Sequence, residues 1–259
     1  MSHPEQLGFF AEVERANLAV VEFSKVVEIG SFDVNGSVRT IFRRSVEYVG
    51  VDLLEGPGVD LIAFGHEVDY PDGHFDLAIS GECFEHDPHW VETFQNMCRM
   101  TRAGGLVAVT CASRGRPEHG TRRTDLEESP GTQFRGLDYY RNLEAADFHA
   151  VINLSEVFND YRFWYLPTSL DLYFAGVRKG ELASTSTAHI PDKAAVEALR
   201  GLMSLPHRIV RLPLRLMVRV LSPDLYQSWA VPYWRTLLNA QDRLTGGAFR
   251  RAGRGSTQH

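Results

Sequence analysis

The sequence predicts an α/β protein in which a doubly wound, mostly parallel sheet is followed by a helical C-terminal extension. Short apolar runs rich in Val and Ile alternate with segments of helical spacing over residues 1–180. Such alternation is typical of a parallel sheet with helices on both faces. Beyond it, the pattern over residues 181–259 becomes helical and rich in arginine. These observations predict a sheet domain over 1–180 and a linker with basic helices over 181–259.

The composition is that of an ordinary globular protein. Of the 259 residues, 44% are hydrophobic and 23% are charged, which suits one full α/β domain with an extension. No apolar run approaches the roughly 18 residues of a membrane-spanning helix, and no targeting segment opens the sequence. The three cysteines show no CxxC spacing and are too few for a disulfide framework. We therefore expect a cytoplasmic protein without structural zinc.

The charge is divided unevenly along the chain. Residues 200–259 carry ten arginines against Asp224 and Asp242, a balance of +8. Because the whole chain carries −6, residues 1–199 carry −14. Such asymmetry indicates that the two parts have different roles.

Apolar spacing predicts the elements of the first part in order. Helical spacing marks helices, and β-branched runs bounded by turn residues mark strands. The predicted elements are a helix over 8–22, a strand over 26–30, a short helix over 37–42, strands over 47–53, 59–64 and 75–80, a helix over 81–100 and a strand over 106–112.

A long loop follows these elements. Residues 113–134 are polar and have no clear period, and a loop of that length in a compact domain is usually functional. The segments predicted after it are a helix over 137–148, strands within 151–160 and 171–180, a small-residue linker over 181–195, arginine-rich helices and a disordered end over 246–259.

The first strand ends in a bend of small residues that suits a ligand. Gly30 and Gly36 let the backbone approach a ligand closely, and ligands of parallel sheets lie at the carboxyl ends of the strands. The fingerprint GxGxxG is absent because Phe32 stands two residues after Gly30, which disfavours a nicotinamide oxidoreductase. Asp52 closes the second strand, where an acid accepts both hydroxyls of a ribose. The pattern favours an adenosine cofactor.

Four motifs occur in the order that is typical of class I, Rossmann-like S-adenosylmethionine-dependent methyltransferases. These are EIGSFDVNG (28–36), VGVDL (49–53), FDLAISGECFEHDPHW (75–90) and TRAGGLVAVT (101–110). The sequence resembles this family from residue 20 to about residue 180. The resemblance implies that S-adenosylmethionine is the cofactor.

The resemblance also implies which residues contact the cofactor. They are Glu28, Gly30 and Gly36 for the methionine part, Asp52 for the ribose, Leu53 for the adenine face, His66 and Glu67 for the adenine edge, and Glu82. A buried, paired acid at position 28 and an exposed loop histidine at position 66 remain open alternatives.

The acceptor is expected to be an oxygen. The Asn/Asp-Pro-Pro-Tyr signature of amino methyltransferases in this family is absent after the fourth strand, where SGECFEH stands instead. The DVNGSVR segment resembles small bacterial saccharide O-methyltransferases, which implies a saccharide or similar polyhydroxylated small molecule or oligosaccharide. A phenolic or lipid-linked acceptor and a non-catalytic partner subunit are the alternatives.

Two sets of residues are candidates for activating the acceptor. If a helix starts near Gly81, then Glu82, Glu85 and His86 share one helix face. The ExxEH spacing is similar to the metal-binding motif of ubiquinone-pathway O-methyltransferases, which implies a divalent cation such as Mg²⁺. Without metal, His86 is a candidate base or a structural histidine. His119 in the long loop is a second candidate base.

The basic tail has three interpretations. Arginines recur at three- and four-residue spacing with apolar residues between them in the segment 205–221. Such helices could pack on the acidic part of the chain, on a partner subunit in a homodimer, or on an anionic membrane surface. Nucleic acid is not an expected partner.

Overall fold

A computed structural model describes residues 3–33, 36–124, 126–181 and 186–244 of the chain. The predicted linker over 181–195 is described only in part. The end over 246–259, predicted to be disordered, lies outside the described residues.

Seven strands of the described residues form one sheet, in the order β3-β2-β1-β4-β5-β7-β6. The strands are β1 Lys25–Ile29, β2 Glu47–Asp52, β3 Leu61–Ile62, β4 Phe75–Gly81, β5 Thr101–Ala112, β6 Phe158–Leu166 and β7 Asp171–Arg178. The first five strands pair in parallel, whereas β7 is antiparallel to β5 and β6 is antiparallel to β7. This sheet confirms the predicted doubly wound, mostly parallel architecture.

Helices cover both faces of the sheet. They are α1 Pro4–Asn17, α2 Trp90–Met100, α3 Pro130–Phe134, α4 Ala145–Val151, α5 Leu154–Val157, α6 Lys193–Ala198, α7 Leu205–Val210, α8 Leu212–Met217 and α9 Pro223–Leu244. Short 3₁₀ turns occupy Val38–Thr40, Gly65–Glu67, Phe84–His86, Leu126–Glu128 and Leu199–Leu202. Side chains of α2, α4 and α5 belong to the core on one face, and those of α1 and α6 to the core on the other.

The alternation of side chains along each strand feeds both cores. In β1, Val27 and Ile29 join the core with α2, whereas Val26 joins the core with α1. Because both faces are covered, the parallel strands read as nearly continuous apolar runs, which is why the sequence predicted their positions.

The predicted helix over 81–100 is wrong in its first half. Strand β4 continues to Gly81, Glu82 takes a left-handed conformation with φ +53°, and the helix α2 begins only at Trp90. Pro88 disfavours helical backbone at the residue before it. Consequently Glu82, Glu85 and His86 do not share one helix face.

Other predicted boundaries also differ, including that of the helix predicted over 8–22, which is α1 and ends at Asn17. The predicted helix over 37–42 is a 3₁₀ turn at Val38–Thr40, and the predicted helix over 137–148 begins only at Ala145, where Glu144 and Asp147 form a capping box. The strand predicted within 151–160 lies later, as β6, because the short helix α5 precedes it. Local propensity competes here with pairing against β7, which decides where the strand lies.

The C-terminal extension packs against the turn between β6 and β7 and the loop after β5. Leu214, Tyr226 and Ala230 form a small core with Leu170, and the Tyr226 hydroxyl donates a hydrogen bond to the carbonyl of Gly115. The division of the chain at residue 180 stays a prediction. Among the described residues, no helix is both long enough and apolar enough to span a bilayer.

We expect Phe9→Ala to lower the free energy of unfolding by about 3–5 kcal/mol, the usual cost of removing a buried Phe side chain. Phe9 is fully buried, and its ring centroid lies 5.2 Å from that of Tyr173 and 5.9 Å from that of Trp164. Denaturant unfolding measures the effect. The matched control is Phe134→Ala, whose side chain is 68% exposed and whose loss should cost about 0.5 kcal/mol or less. Equal costs for the two variants would contradict the assignment of α1 to the core.

Candidate active site

A cleft opens at the carboxyl ends of β1, β2 and β4, with an empty volume of about 1010 Å³. This is the edge at which parallel α/β sheets bind ligands. Seven of the residues predicted for the site line the cleft. They are Glu28, Gly30, Gly36, Asp52, Leu53, Glu82 and His86.

Gly30 lets the backbone at the end of β1 lie close to Cys83. Its φ is +82°, and a Cβ at this position would lie 2.6 Å from the Cβ of Cys83. Only glycine tolerates both the conformation and the contact. The tight bend therefore leaves room for a ligand above the ends of β1 and β4.

Glu28 is buried on β1 and accepts a hydrogen bond from the Tyr48 hydroxyl at 2.5 Å. Burial raises the pKa of Glu28 to about 7, although the hydrogen bond from Tyr48 favours the charged form. Glu28 is thus a paired buried acid that also lines the cleft. The two interpretations that the sequence left open are compatible.

Asp52 ends β2 with its carboxylate held by backbone N–H groups. One oxygen accepts from Phe32 N at 3.1 Å and the other from Leu53 N at 2.7 Å. These bonds fix the carboxylate at the mouth of the cleft, where its remaining lone pairs can accept two neighbouring hydroxyls. Burial raises the pKa of Asp52, and the backbone donors oppose this shift.

Part of the long loop covers the cleft next to Asp52. Residues 128–132 line it, and a Cβ on Gly131 would lie 2.7 Å from Oδ1 of Asp52. The sequence indicated a functional loop but not which part would lie over Asp52, because that contact depends on the path of the loop. Phe64 also lines the cleft and was not predicted, although it stands two residues before the predicted His66.

His66 is not among the described residues that line the cleft. Its ring packs against His89 with centroids 4.3 Å apart, and Glu67 is its closest acid at 4.0 Å. Ala63, Phe64 and Gly65 form the wall of the cleft here. A contact of His66 or Glu67 with the adenine edge stays a prediction.

A buried ion-pair network closes the inner end of the site. Asp171 at the start of β7 lies 2.7 Å from His3 Nε2 and accepts from Arg116 Nη1 at 3.0 Å. Burial alone would lower the pKa of His3, but Asp171 outweighs it and raises the pKa to about 9. Glu82 lies 3.7 Å from Arg116, so the network reaches the cleft wall.

His86 and His119 lie together behind the cleft. Their ring centroids are 4.9 Å apart, and the ring of Tyr140 is 5.0 Å from that of His119. His119 Nδ1 lies 3.2 Å from the carbonyl of Pro117, so in the neutral ring Nδ1 donates and Nε2 is left with its lone pair. This Nε2 is buried and has no hydrogen-bond partner among the described residues. The structure thus brings together the two bases that the sequence predicted separately.

The histidine pair and Glu85 are all uncharged near neutral pH. Burial lowers the pKa of His86 to about 3 and lowers that of His119 well below its ordinary value. Burial, with the nearby Glu82, raises the pKa of Glu85 to about 8. An ionised Glu85 would therefore be the counter-charge for a protonated histidine beside it.

The predicted metal set is divided between two clusters. Ligand atoms of Glu85, His86 and His119 all lie within 4.8 Å of one another, whereas Glu82 forms a separate group with His3 and Asp171. One carboxylate with two imidazoles suits a borderline cation such as Zn²⁺ better than Mg²⁺, which prefers oxygen ligands.

Residues 27–109 match the family described as "Methyltransferase domain". No curated protein matches the chain significantly. Similar solved structures include the YcgJ protein of Bacillus subtilis, at 13% identity over 69% of this chain and 100% of that chain, with a TM-score of 0.48.

Two further similar structures are methyltransferases of named substrates. The first is phosphoethanolamine N-methyltransferase 2 of Haemonchus contortus, at 14% identity over 66% of this chain and 52% of that one, with a TM-score of 0.46. The second is 1,6-didemethyltoxoflavin-N1-methyltransferase of Burkholderia thailandensis, at 13% identity over 68% of this chain and 80% of that one, with a TM-score of 0.45.

The residues that match the methyltransferase-domain model include β1, β2 and β4, whose carboxyl ends form the cleft. That the whole chain is a class I S-adenosylmethionine-dependent methyltransferase, as the four sequence motifs indicated, stays a prediction. The comparisons do not support the narrower resemblance to saccharide O-methyltransferases.

We expect Asp52→Ala to weaken S-adenosylhomocysteine binding by about tenfold or more, since a buried site built for hydroxyl donors loses its acceptor. Titration calorimetry measures the change. Asp160→Ala is the matched control because Asp160 is exposed on β6, far from the cleft lining. Unchanged affinity in a folded Asp52→Ala protein would remove Asp52 from the cofactor site.

We also expect Glu85→Gln to stabilise the protein more at high pH than at low pH. The unfolded state releases the Glu85 proton above its ordinary pKa of 4.5, whereas the folded state keeps it to about 8. Stability of the native protein therefore falls as pH rises through this window, and the variant escapes that loss.

Thermal unfolding of both proteins with a chelator, at about pH 5 and about pH 9, measures the difference. The exposed Glu92→Gln provides the control for replacing a carboxylate by an amide. A constant difference for Glu85→Gln would show that Glu85 is not held neutral by burial.

Proposed function

We propose that the protein is an O-methyltransferase that transfers the methyl group of S-adenosylmethionine to a hydroxyl of a saccharide or similar polyhydroxylated acceptor. The observation that carries the proposal is a group of buried polar atoms around the His86 side of the cleft that make no hydrogen bond. Among the described residues, these atoms are Gln6 Oε1, both carboxylate oxygens of Glu82 and of Glu85, His86 Nδ1, Thr110 Oγ1 and His119 Nε2.

Such atoms favour a polar acceptor. A buried donor or acceptor without a partner costs about 1–3 kcal/mol, and folded proteins contain few of them. An acceptor with several hydroxyls can donate to the carboxylate and imidazole atoms and accept from others, which a largely apolar phenolic ring cannot do. Gln6, Glu82 and His86 also line the cleft, so the polar region is continuous with the cofactor site.

The cleft suits S-adenosylmethionine, the cofactor that the family resemblance implies. Gly30 provides the close backbone approach, and Asp52 provides a fixed carboxylate for the ribose hydroxyls. When bound, S-adenosylmethionine supplies a methyl group on a positively charged sulfur. The acceptor oxygen forms a bond to the methyl carbon as the carbon–sulfur bond breaks, and the acceptor hydroxyl loses its proton. The protein mainly aligns the two partners and takes that proton.

We assign His119 as the residue that accepts the proton of the acceptor hydroxyl. Its Nδ1 is held by the carbonyl of Pro117, so Nε2 is the free basic atom. Because burial lowers the pKa of both histidines, the proton is accepted more readily when Glu85 is ionised beside them. Turnover should therefore rise with pH through the raised pKa of Glu85.

A divalent metal on Glu85, His86 and His119 is the alternative way to activate the hydroxyl. A metal would lower the pKa of an acceptor hydroxyl that it binds. Loss of turnover with a chelator and recovery with Mn²⁺ or Zn²⁺ would favour the metal, whereas indifference to the chelator would favour His119 as the base.

A labelled-methyl screen of sugars and polyols tests the function. We expect His119→Ala and His86→Ala each to lower turnover by roughly 10², the usual scale for a general base, with cofactor binding intact. His149→Ala is the matched control, since His149 is exposed on α4. Unchanged turnover in both cleft variants would remove the two histidines as bases.

Other results of the screen point to the alternative functions. Cofactor binding with turnover of phenols or lipid-linked acceptors only would contradict the polar acceptor. Cofactor binding without turnover of any acceptor would favour a non-catalytic partner subunit.

A further inference from the structure

An apolar stripe runs along the outer side of the C-terminal extension. Six large side chains recur at spacings of three and four residues and are all exposed. They are Leu202, Leu205, Ile209, Leu212, Leu216 and Val220, with exposed fractions of 48–74%. We call this set the tail stripe. Large apolar side chains at helical spacing normally face a core or a partner.

The tail stripe is exposed although the helices that carry it are docked. Leu214 of α8 is fully buried against Leu170 and Tyr226. Arg211 turns inward, donates to the carbonyl of Thr168 at 2.7 Å and lies 5.3 Å from the Trp234 ring centroid. The inner face of α8 therefore has its partners, whereas α7 has no buried residue, and the side chains of the tail stripe remain exposed.

Basic side chains accompany the tail stripe. Arg208 and Arg219 are exposed, Arg215 is half-buried, and each stands next to a stripe residue in sequence. No acidic residue occurs between Glu197 and Asp224. The outer face of α7 and α8 thus combines apolar area with positive charge.

Charge and apolar area together point to one occupant. Helices with an apolar stripe bordered by arginines lie in the interface of an anionic bilayer, with the arginine stems along the acyl chains and the guanidinium groups at the phosphates. Nucleic acid would use the arginines but leave the apolar side chains in water. A two-fold pairing of stripes between two copies would bring the arginines of both copies together.

We propose that the tail stripe docks the protein on an anionic membrane surface. The helices lie on the bilayer and do not cross it. The Arg114 guanidinium donates to the carbonyl of Val218, and a Cβ on Gly115 would lie 3.6 Å from Val218. The docked helices therefore contact the start of the loop that carries His119. This proposal goes beyond the methyl transfer proposed above, and its test needs neither cofactor nor acceptor.

Vesicle sedimentation of the full chain tests the proposal. We expect the protein to sediment with vesicles of phosphatidylcholine and phosphatidylglycerol but not with phosphatidylcholine alone. Ile209→Ser with Leu216→Ser should weaken binding by about tenfold or more, since two side chains lose apolar burial. Replacing Arg208, Arg215 and Arg219 by Gln should weaken it by about 10², near fivefold for each arginine.

Matched variants control for general changes of surface. Val46 and Val151 are exposed valines outside the extension, and Arg43 and Arg44 are exposed arginines outside it. Replacing the valines by Ser, or these arginines by Gln, should leave vesicle binding unchanged. Circular dichroism and melting temperature verify that each variant is folded.

Three results would overturn the proposal. The first is equal sedimentation with neutral and anionic vesicles or with neither. The second is vesicle binding that the serine variants leave unchanged. If the protein also binds duplex DNA, that result would indicate a nucleic-acid surface. The third is that the protein does not bind vesicles but forms a dimer, measured by light scattering, which the serine substitutions dissociate. The tail stripe would then be an interface between two copies of the chain.

Discussion

The buried carboxylate of Asp171 is the contact on which the inner half of the site depends. It sits at the start of β7 and pairs with His3 before α1 and with Arg116 in the loop after β5. Three segments distant in sequence therefore meet at one charge. A buried carboxylate without its partners costs several kcal/mol, so each segment is held where the charge is satisfied. Because the loop after β5 also carries His119, this ion pair positions the candidate base as well as the fold.

Next to that charged network lies a cluster kept neutral by burial. Burial and the nearby Glu82 of that network raise the pKa of Glu85, and Glu85, His86 and His119 have buried polar atoms without hydrogen-bond partners among the described residues. The contrast separates two roles within one buried region. The paired charges of Asp171 and Arg116 hold the architecture, and the unpaired polar atoms remain available to a ligand. Perturbed titratable groups in a cleft are typical of functional sites.

The C-terminal extension has an inner face that packs on the sheet domain and an outer face that is exposed. Its inner face fixes the loop after β5, through Tyr226 on the Gly115 carbonyl and Gln227 on the Arg116 carbonyl. Its outer face bears the tail stripe and its arginines. Packing on the domain, which the charge asymmetry left as one alternative, uses only one face of these helices. The helices that carry the outer surface thus also contact the loop that carries the candidate base.

The parallel strands, the glycine bend after β1 and the acid at the end of β2 could be predicted from the sequence alone. Strands buried on both faces read as apolar runs, and glycines with a following acid form a local pattern, so neither needs distant contacts to be recognised. Only the tertiary structure decided which acids and histidines share a site. The left-handed backbone of Glu82 and the presence of Pro88 prevent the predicted helix, and Glu82 lies near Asp171 instead. The path of the long loop places His119 next to His86. Contacts between segments far apart in sequence have no local signature, because they depend on how the whole chain packs.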